Sequence, residues 1–239
     1  MADRDQQVWS WDSFLSAEEA GDWLTRIEAY RSKHELTEIH RPMRGRSLRY
    51  FVIDGEAIDA AFPELAMLYR RIQAIAEESS GLRLEPMRQR KVAININITR
   101  PGGEYRWHYD RNALTAILYL NAVAGGVTEM HPGHRFLLRG RSHTAWQKAL
   151  DRLWMSPVGR RFSSKLHVAP APGRLLLMRG DRCLHSVSPV EGAEERVNFI
   201  FSYDQVGARH PQEEGLNDYL YSSKKLNGAD PNYSHRIRT

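Results

Sequence analysis

The chain has 239 residues, enough for one β-rich domain with helical additions, and its 41% hydrophobic and 26% charged residues are those of an ordinary globular protein. No run approaches the ~18 apolar residues of a membrane span, and Met1–Gln7 lacks the basic-then-apolar form of a secretory signal. The single Cys183 cannot close an intrachain disulfide, so a cytoplasmic setting is expected; the net charge of +5 is scattered over short clusters without interleaved aromatics, which disfavours a nucleic-acid partner.

Val8 to Phe14 reads as a short strand. Ser16-Ala-Glu-Glu19 has the form of a capping box. Ala20, Trp23, Leu24 and Ile27 follow at i, i+3, i+4 and i+7, which predicts an amphipathic helix ending near Arg31. Arg44 to Asp54 alternates through Leu48, Tyr50 and Val52 and reads as a strand ending in an Asp-Gly turn. A second helix is expected from Pro63 to a stop at Gly81, with Leu65, Leu68, Ile72 and Ile75 on one face.

From Lys91 the pattern changes to short strands separated by turn signals. Val92, Ile94, Ile96 and Ile98 alternate with Ala93, Asn95, Asn97 and Thr99. Further strands are expected at 105–110, 114–121, 127–130, 165–169, 174–179, 183–190 and 195–203. Residues 133–165 interrupt the run with a helix that Ser142 caps and that carries Trp146, Ala149, Leu150 and Leu153 on one side. The expected organisation is one domain over 1–204, helical to about residue 90 and β from 91, with a tail or lid over 205–239. Its fold class is mainly β: a double-stranded β-helix, or jelly roll, with a helical buttress.

Gly102 to Asp110 carries the chemistry. Strand alternation puts Arg106, His108 and Asp110 on one face and Tyr105, Trp107 and Tyr109 on the other. Two imidazoles and one carboxylate on adjacent corners is the donor set of mononuclear non-haem Fe(II) sites. His185 is the candidate for the second imidazole, on a short strand shared with Cys183 and Val187. Arg196, on the strand that follows, sits among apolar neighbours. There it needs a carboxylate partner, which makes it the natural anchor for a dicarboxylate co-substrate.

The chain resembles the Fe(II)/2-oxoglutarate-dependent dioxygenases, in particular the prolyl-4-hydroxylase-like group. The matching pieces are Asp12–Glu19, Gly103–Asp110, Ala116–Asn121, Gly125-Gly-Val-Thr128, Pro172–Met178 and His185–Gly192 with Arg196. The resemblance implies that His108, Asp110 and His185 bind Fe(II) and that Arg196 binds the far carboxylate of 2-oxoglutarate. Tyr119 would donate to that carboxylate, with Thr128 and Asn97 lining the pocket. The strand before Pro101 has Ile96, Ile98 and Thr99 where the family often carries a tyrosine. Related halogenases have Gly or Ala in place of the metal-binding carboxylate, so Asp110 argues against halogenation.

The implied reaction uses O2, releases succinate and CO2 from 2-oxoglutarate, and oxidises an unactivated C–H bond. The expected substrate is a small molecule, a free amino acid or a natural-product intermediate, acted on by a monomer or homodimer. A protein or peptide side-chain hydroxylase and a non-catalytic jelly-roll binding module are the alternatives. Candidate substrate contacts are Arg111, just past Asp110; Asn198 and Ser202, on the face of Arg196; Glu129, Arg135 and Trp146, on or near the insertion; and Arg49.

Overall fold

The computed structural model describes residues 6–43, 46–135 and 145–207. Ser142, Arg44 and nearly all of the tail or lid expected over 205–239 lie outside those residues.

Strand β1 (Val8–Trp11) leads into helix α1 (Ala17–Arg31) through the expected capping box. Ser16 Oγ accepts from the Glu19 amide at 3.0 Å and the Glu19 carboxylate accepts from the Ser16 amide at 2.7 Å. Strands β2 (Glu38–Met43) and β3 (Arg46–Ile53) form a hairpin. The expected Asp-Gly turn is instead a helix start. Asp54 Oδ1 accepts from the amides of Glu56 and Ala57 at 3.0 Å each and caps α2 (Gly55–Ala61). Helix α3 (Leu65–Ser80) stops where predicted, at Gly81, whose φ of 67° is left-handed.

After β4 (Leu84–Pro86), the single turn α4 (Arg90–Ala93) takes Val92 out of the expected strand, so β5 runs Ile94–Thr99. The β region continues as β6 (Tyr105–His108), β7 (Leu114–Tyr119), β8 (Ala124–Gly125) and β9 (Thr128–His131). Helices α5 (Ala145–Met155) and α6 (Pro157–Arg160) follow. The chain then forms β10 (Leu166–Val168), β11 (Leu175–Met178), β12 (Leu184–Val187), β13 (Val190–Glu191) and β14 (Arg196–Gln205).

Two antiparallel sheets face each other. The larger runs β1-β11-β7-β14-β5-β3-β2, with β4 also on β14; the smaller runs β10-β9-β12-β6. Alternation divides the large sheet cleanly. Ile94, Ile96 and Ile98 of β5, Leu114, Ala116 and Leu118 of β7, and Val197, Phe199 and Phe201 of β14 pack against Ala20 and Ile27 of α1 and Leu65, Tyr69 and Ile72 of α3. The opposite face of the sheet presents Ile117 and Tyr119 from β7 and Leu176 and Met178 from β11. They meet Met130 of β9 and Cys183 in a small inner core. The result is the double-stranded β-helix with a helical buttress that the sequence pattern predicts.

Helix α5 docks by its polar side. Trp146 and Leu153 are 80% and 64% exposed, while Gln147 and Asp151 are buried. Arg135 explains this: its Nε and Nη2 donate to the two Asp151 carboxylate oxygens at 3.1 and 2.6 Å, and Gln147 donates to Asp151 at 2.8 Å. Among the described residues, no helix is long and apolar enough to cross a membrane.

Phe199 is fully buried, with its ring 5.2 Å from Trp23 and 6.0 Å from Phe201. Phe199→Ala is expected to lower unfolding free energy by about 3–5 kcal/mol. Urea denaturation followed by circular dichroism checks this, and a loss below about 1 kcal/mol would place Phe199 outside the main core.

Candidate metal centre

Strand β12 is paired on both sides. His185 lies opposite Met130 of β9 and opposite His108 of β6. The two histidine rings come within 4.2 Å, centroid to centroid. Asp110 sits two residues beyond His108, past the end of β6, where its amide donates to the Gly180 carbonyl at 2.9 Å. Asp110 Oδ1 is 3.5 Å from His108 Nε2 and 3.4 Å from His185 Nε2. One atom from each of the three side chains lies within 4.8 Å of the others, close enough to share an ion.

The backbone orients both rings. His108 Nδ1 donates to the Arg106 carbonyl at 2.6 Å, and His185 Nδ1 to the Cys183 carbonyl at 3.0 Å. A carbonyl only accepts, so each Nδ1 keeps its proton and each Nε2 is aimed at the shared point.

Burial alone would push the Asp110 carboxyl up; the charge of His185 and hydrogen bonds from both imidazoles outweigh it and hold that carboxyl well below the usual range. Burial pushes His185 down, but the Asp110 carboxylate outweighs it and raises the imidazole. Without an ion each group favours the charged form of the other, and an arriving cation competes with the proton for His185 Nε2.

Behind this centre lies Arg196, only 2% exposed. Its Nη1 donates to Asn198 Oδ1 at 2.5 Å and its Nη2 to Thr128 Oγ1 at 3.3 Å. The Thr128 hydroxyl shares a 2.7 Å hydrogen bond with Tyr119, whose ring lies 5.1 Å from the guanidinium carbon. Gly126 makes room for the arginine stem: at its φ of 59°, a Cβ would fall 2.9 Å from Arg196 Cδ. No carboxylate among the described residues pairs with Arg196. Its Nε and the Asn198 Nδ2 are buried with no hydrogen-bond partner. Unpartnered buried donors beside a guanidinium fit an anionic carboxylate ligand.

Strict alternation fails at one place. From His185 to Val187 β12 advances two residues while β6 advances three, from His108 back to Tyr105. That bulge turns Tyr105 onto the face of His108, a correction to the expected grouping with Trp107 and Tyr109. The Tyr105 hydroxyl accepts from Asn97 Nδ2 at 2.7 Å, and Thr99 Oγ1 donates to Asn97 Oδ1 at 3.0 Å. A tyrosine thus reaches the inner face beside Asn97, from β6 rather than from the strand before Pro101. The bulge has no sequence signature that reveals it.

The remaining candidates divide. Asn198 and Ser202 share the inner face, Ser202 opposite Thr115 in the β14–β7 register. Arg111 is half-buried directly after Asp110. Glu129 is turned to the other face of the small sheet, where it accepts from Lys165 at 2.6 Å and Ser186 at 3.2 Å. Arg49 faces away from the inner surface and donates to Glu38 at 2.5 Å. Arg135 is committed to Asp151, and Trp146 projects outward, so the structure does not bring these four to the metal centre.

Two imidazoles and one carboxylate leave the rest of an octahedral ion open, the arrangement with which mononuclear iron oxygenases take up a chelating co-substrate and dioxygen. Residues 94–203 match the family model of the 2OG-Fe(II) oxygenase superfamily. The chain is similar to the crystal structure of the epimerase SnoN from nogalamycin biosynthesis with Fe3+, alpha ketoglutarate and nogalamycin RO. The TM-score is 0.65 at 18% identity, covering 95% of this chain and 89% of that one. The carbocyclase SnoK of the same biosynthesis gives 0.65 at 18% identity, covering 94% and 90%. A Pseudomonas putida prolyl-4-hydroxylase gives 0.54 at 19% identity, covering 83% and 92%. Among curated proteins no sequence matches. It is the β core, residues 94–203, that carries the match to the 2OG-Fe(II) oxygenase superfamily. The chain is an enzyme of that class, with Fe(II), 2-oxoglutarate and O2 as its cofactors.

The pH behaviour of the metal-free protein follows. The His185 contribution to stability is fully present below its ordinary pKa of about 6.5 and fades as pH rises through the raised value. The Asp110 contribution is present above its ordinary value of about 3.9 and fades as pH falls through the lowered one. Asp110→Asn is therefore expected to destabilise metal-free protein more near pH 5.5 than near pH 9, by chemical denaturation. Co(II) affinity is expected to rise with pH by about tenfold per unit while His185 is protonated. A flat titration would remove His185 from the ligand set.

Proposed function

We propose that the enzyme oxidises an unactivated C–H bond of a small molecule, a natural-product intermediate before a free amino acid, with hydroxylation as the default outcome. His108 and His185 would present Nε2 to Fe(II), and Asp110 would supply the anionic ligand. Arg196 would take the far carboxylate of 2-oxoglutarate, joined by the Asn198 amide. Tyr119 holds Thr128, and Thr128 holds the guanidinium, so the hydroxyl pair orients the anchor. Ile117, Met130, Met178 and Cys183 keep water from this end of the pocket. With 2-oxoglutarate and O2, bound Fe(II) supplies the oxidising power for C–H cleavage, and succinate and CO2 leave. Ser202 and Arg111 remain the candidate substrate contacts, with Tyr105 added on the inner face.

One observation carries the reading: a buried guanidinium and a neighbouring amide, both with unpartnered donors, stand behind a convergent His-Asp-His set. The choice of a small molecule is supported by the higher TM-scores of the two natural-product enzymes. A peptide side-chain hydroxylase is the second reading, supported by the likeness to the prolyl-4-hydroxylase.

Arg196→Ala is expected to raise the 2-oxoglutarate requirement on the order of 100-fold, since the co-substrate carboxylate loses a buried charge partner. Steady-state succinate release measures it, and an unchanged requirement would reassign Arg196. His108→Ala is expected to abolish succinate release in folded protein. Succinate release screened over natural-product intermediates, amino acids and peptides separates the two substrate readings. Stimulation by peptides alone would overturn the small-molecule choice.

A further inference from the structure

Asp110 lies past the end of β6, so no strand pairing fixes its side chain. Its surroundings do. Thr115 Oγ1 donates to Asp110 Oδ2 at 2.5 Å. Asn112 Nδ2 in turn donates to Thr115 Oγ1 at 2.9 Å and to the Leu114 carbonyl at 2.6 Å. The carbonyl accepts only, which fixes the amide with its nitrogen inward. Thr115 Oγ1 therefore receives a proton from Asn112 and has one direction left for its own, toward the carboxylate. Both side chains are buried, Thr115 at 4% and Asn112 at 7% exposure. Gly180 closes the remaining side: a Cβ there would lie 2.7 Å from Asp110 Cβ, 2.7 Å from Oδ2 and 2.9 Å from Thr115 Oγ1.

The effect is to divide the carboxylate. Oδ2 is occupied by a directed hydroxyl and wedged against backbone, whereas Oδ1 faces both imidazole Nε2 atoms. We propose that Thr115, polarised by Asn112, is a positioning residue that holds Asp110 with one oxygen toward the ion and the other withheld from it. Withholding Oδ2 keeps a ligand position open for the chelating co-substrate, because a carboxylate free to swing could offer both oxygens. This rests on the metal-centre reading given above. It adds two residues, Asn112 and Thr115, that the reaction scheme does not otherwise use.

The test is Co(II) binding to the full chain without oxygen, read by calorimetry and by the visible ligand-field spectrum. Thr115→Val keeps the volume and removes the donor. It is expected to weaken Co(II) binding by about 10–100-fold and to change the ligand-field band. Thr115→Ser restores the hydroxyl and is expected to recover both. Asn112→Ala leaves the hydroxyl but not its direction and is expected to fall between, and it decides the matter should Thr115→Val fail to fold. A merely structural Thr115 would shift thermal stability without altering the spectrum, and that result would overturn the proposal. Thr115→Val or Asn112→Ala binding Co(II) as tightly as the native chain, with the native spectrum, would overturn it as well. If the native chain itself bound no Co(II), the metal centre would fall, and the positioning role with it.

Discussion

The placement of His185 opposite His108 governs this molecule. Strand β12 is hydrogen-bonded to β6 on one edge and β9 on the other, and the pairing fixes the first imidazole against the second. A slip of one residue would send His185 to the outer face with Leu184 and Ser186, leaving the inner core with the wrong side chains. Pairing on both edges resists that slip, so the register that builds the hydrophobic interior also builds the ligand set. The two halves of the donor set need no flexible loop, apart from Asp110, to meet.

The large sheet carries a second constraint. Its helix-facing side is apolar along β5, β7 and β11, while its inner side, along β5 and β14, carries Asn97, Thr99, Arg196 and Asn198. A buried guanidinium without a counter-charge is expensive. Here the expense is limited by Asn198, Thr128 and the Tyr119 ring, but two donors remain unsatisfied. Unsatisfied donors in so tight an interior fit a ligand better than a packing fault, because the same strand buries Phe199, Phe201 and Tyr203 completely.

Much of this was legible in the sequence, and the failures share a cause. Alternation located β5, β7 and β14, a continuous apolar run between Gly173 and Gly180 located β11, and the Ser16 and Gly81 signals located helix ends, because period, apolar runs and capping are local properties. The ordered His108, Asp110, His185 and Arg196 pointed to their convergence, because each lies in or beside a strand. Strand β2 escaped because His40, Arg41 and Pro42 give it no alternation. Asp54 was read as a turn residue because a cap and a turn use the same side chain, and only the chain that follows distinguishes them. Glu129, Arg135 and Trp146 are candidates only through lying on or near the insertion, and Arg49 has no positional argument at all. Each lost its place to a specific partner or to the sheet's other face, neither of which a one-dimensional pattern records.

The extra residue in β6 means that this edge strand is constrained in length more than in composition. Regular pleating of the same four residues would put Arg106, not Tyr105, on the face of His108 and swap the phenol for a guanidinium, whereas removing one residue between Tyr105 and His108 would keep the phenol and lose the bulge. The bulge thus decides which of the two side chains shares the face of His108, while the two histidines keep their register. Keeping or losing the bulge would re-aim this wall without exchanging a single residue.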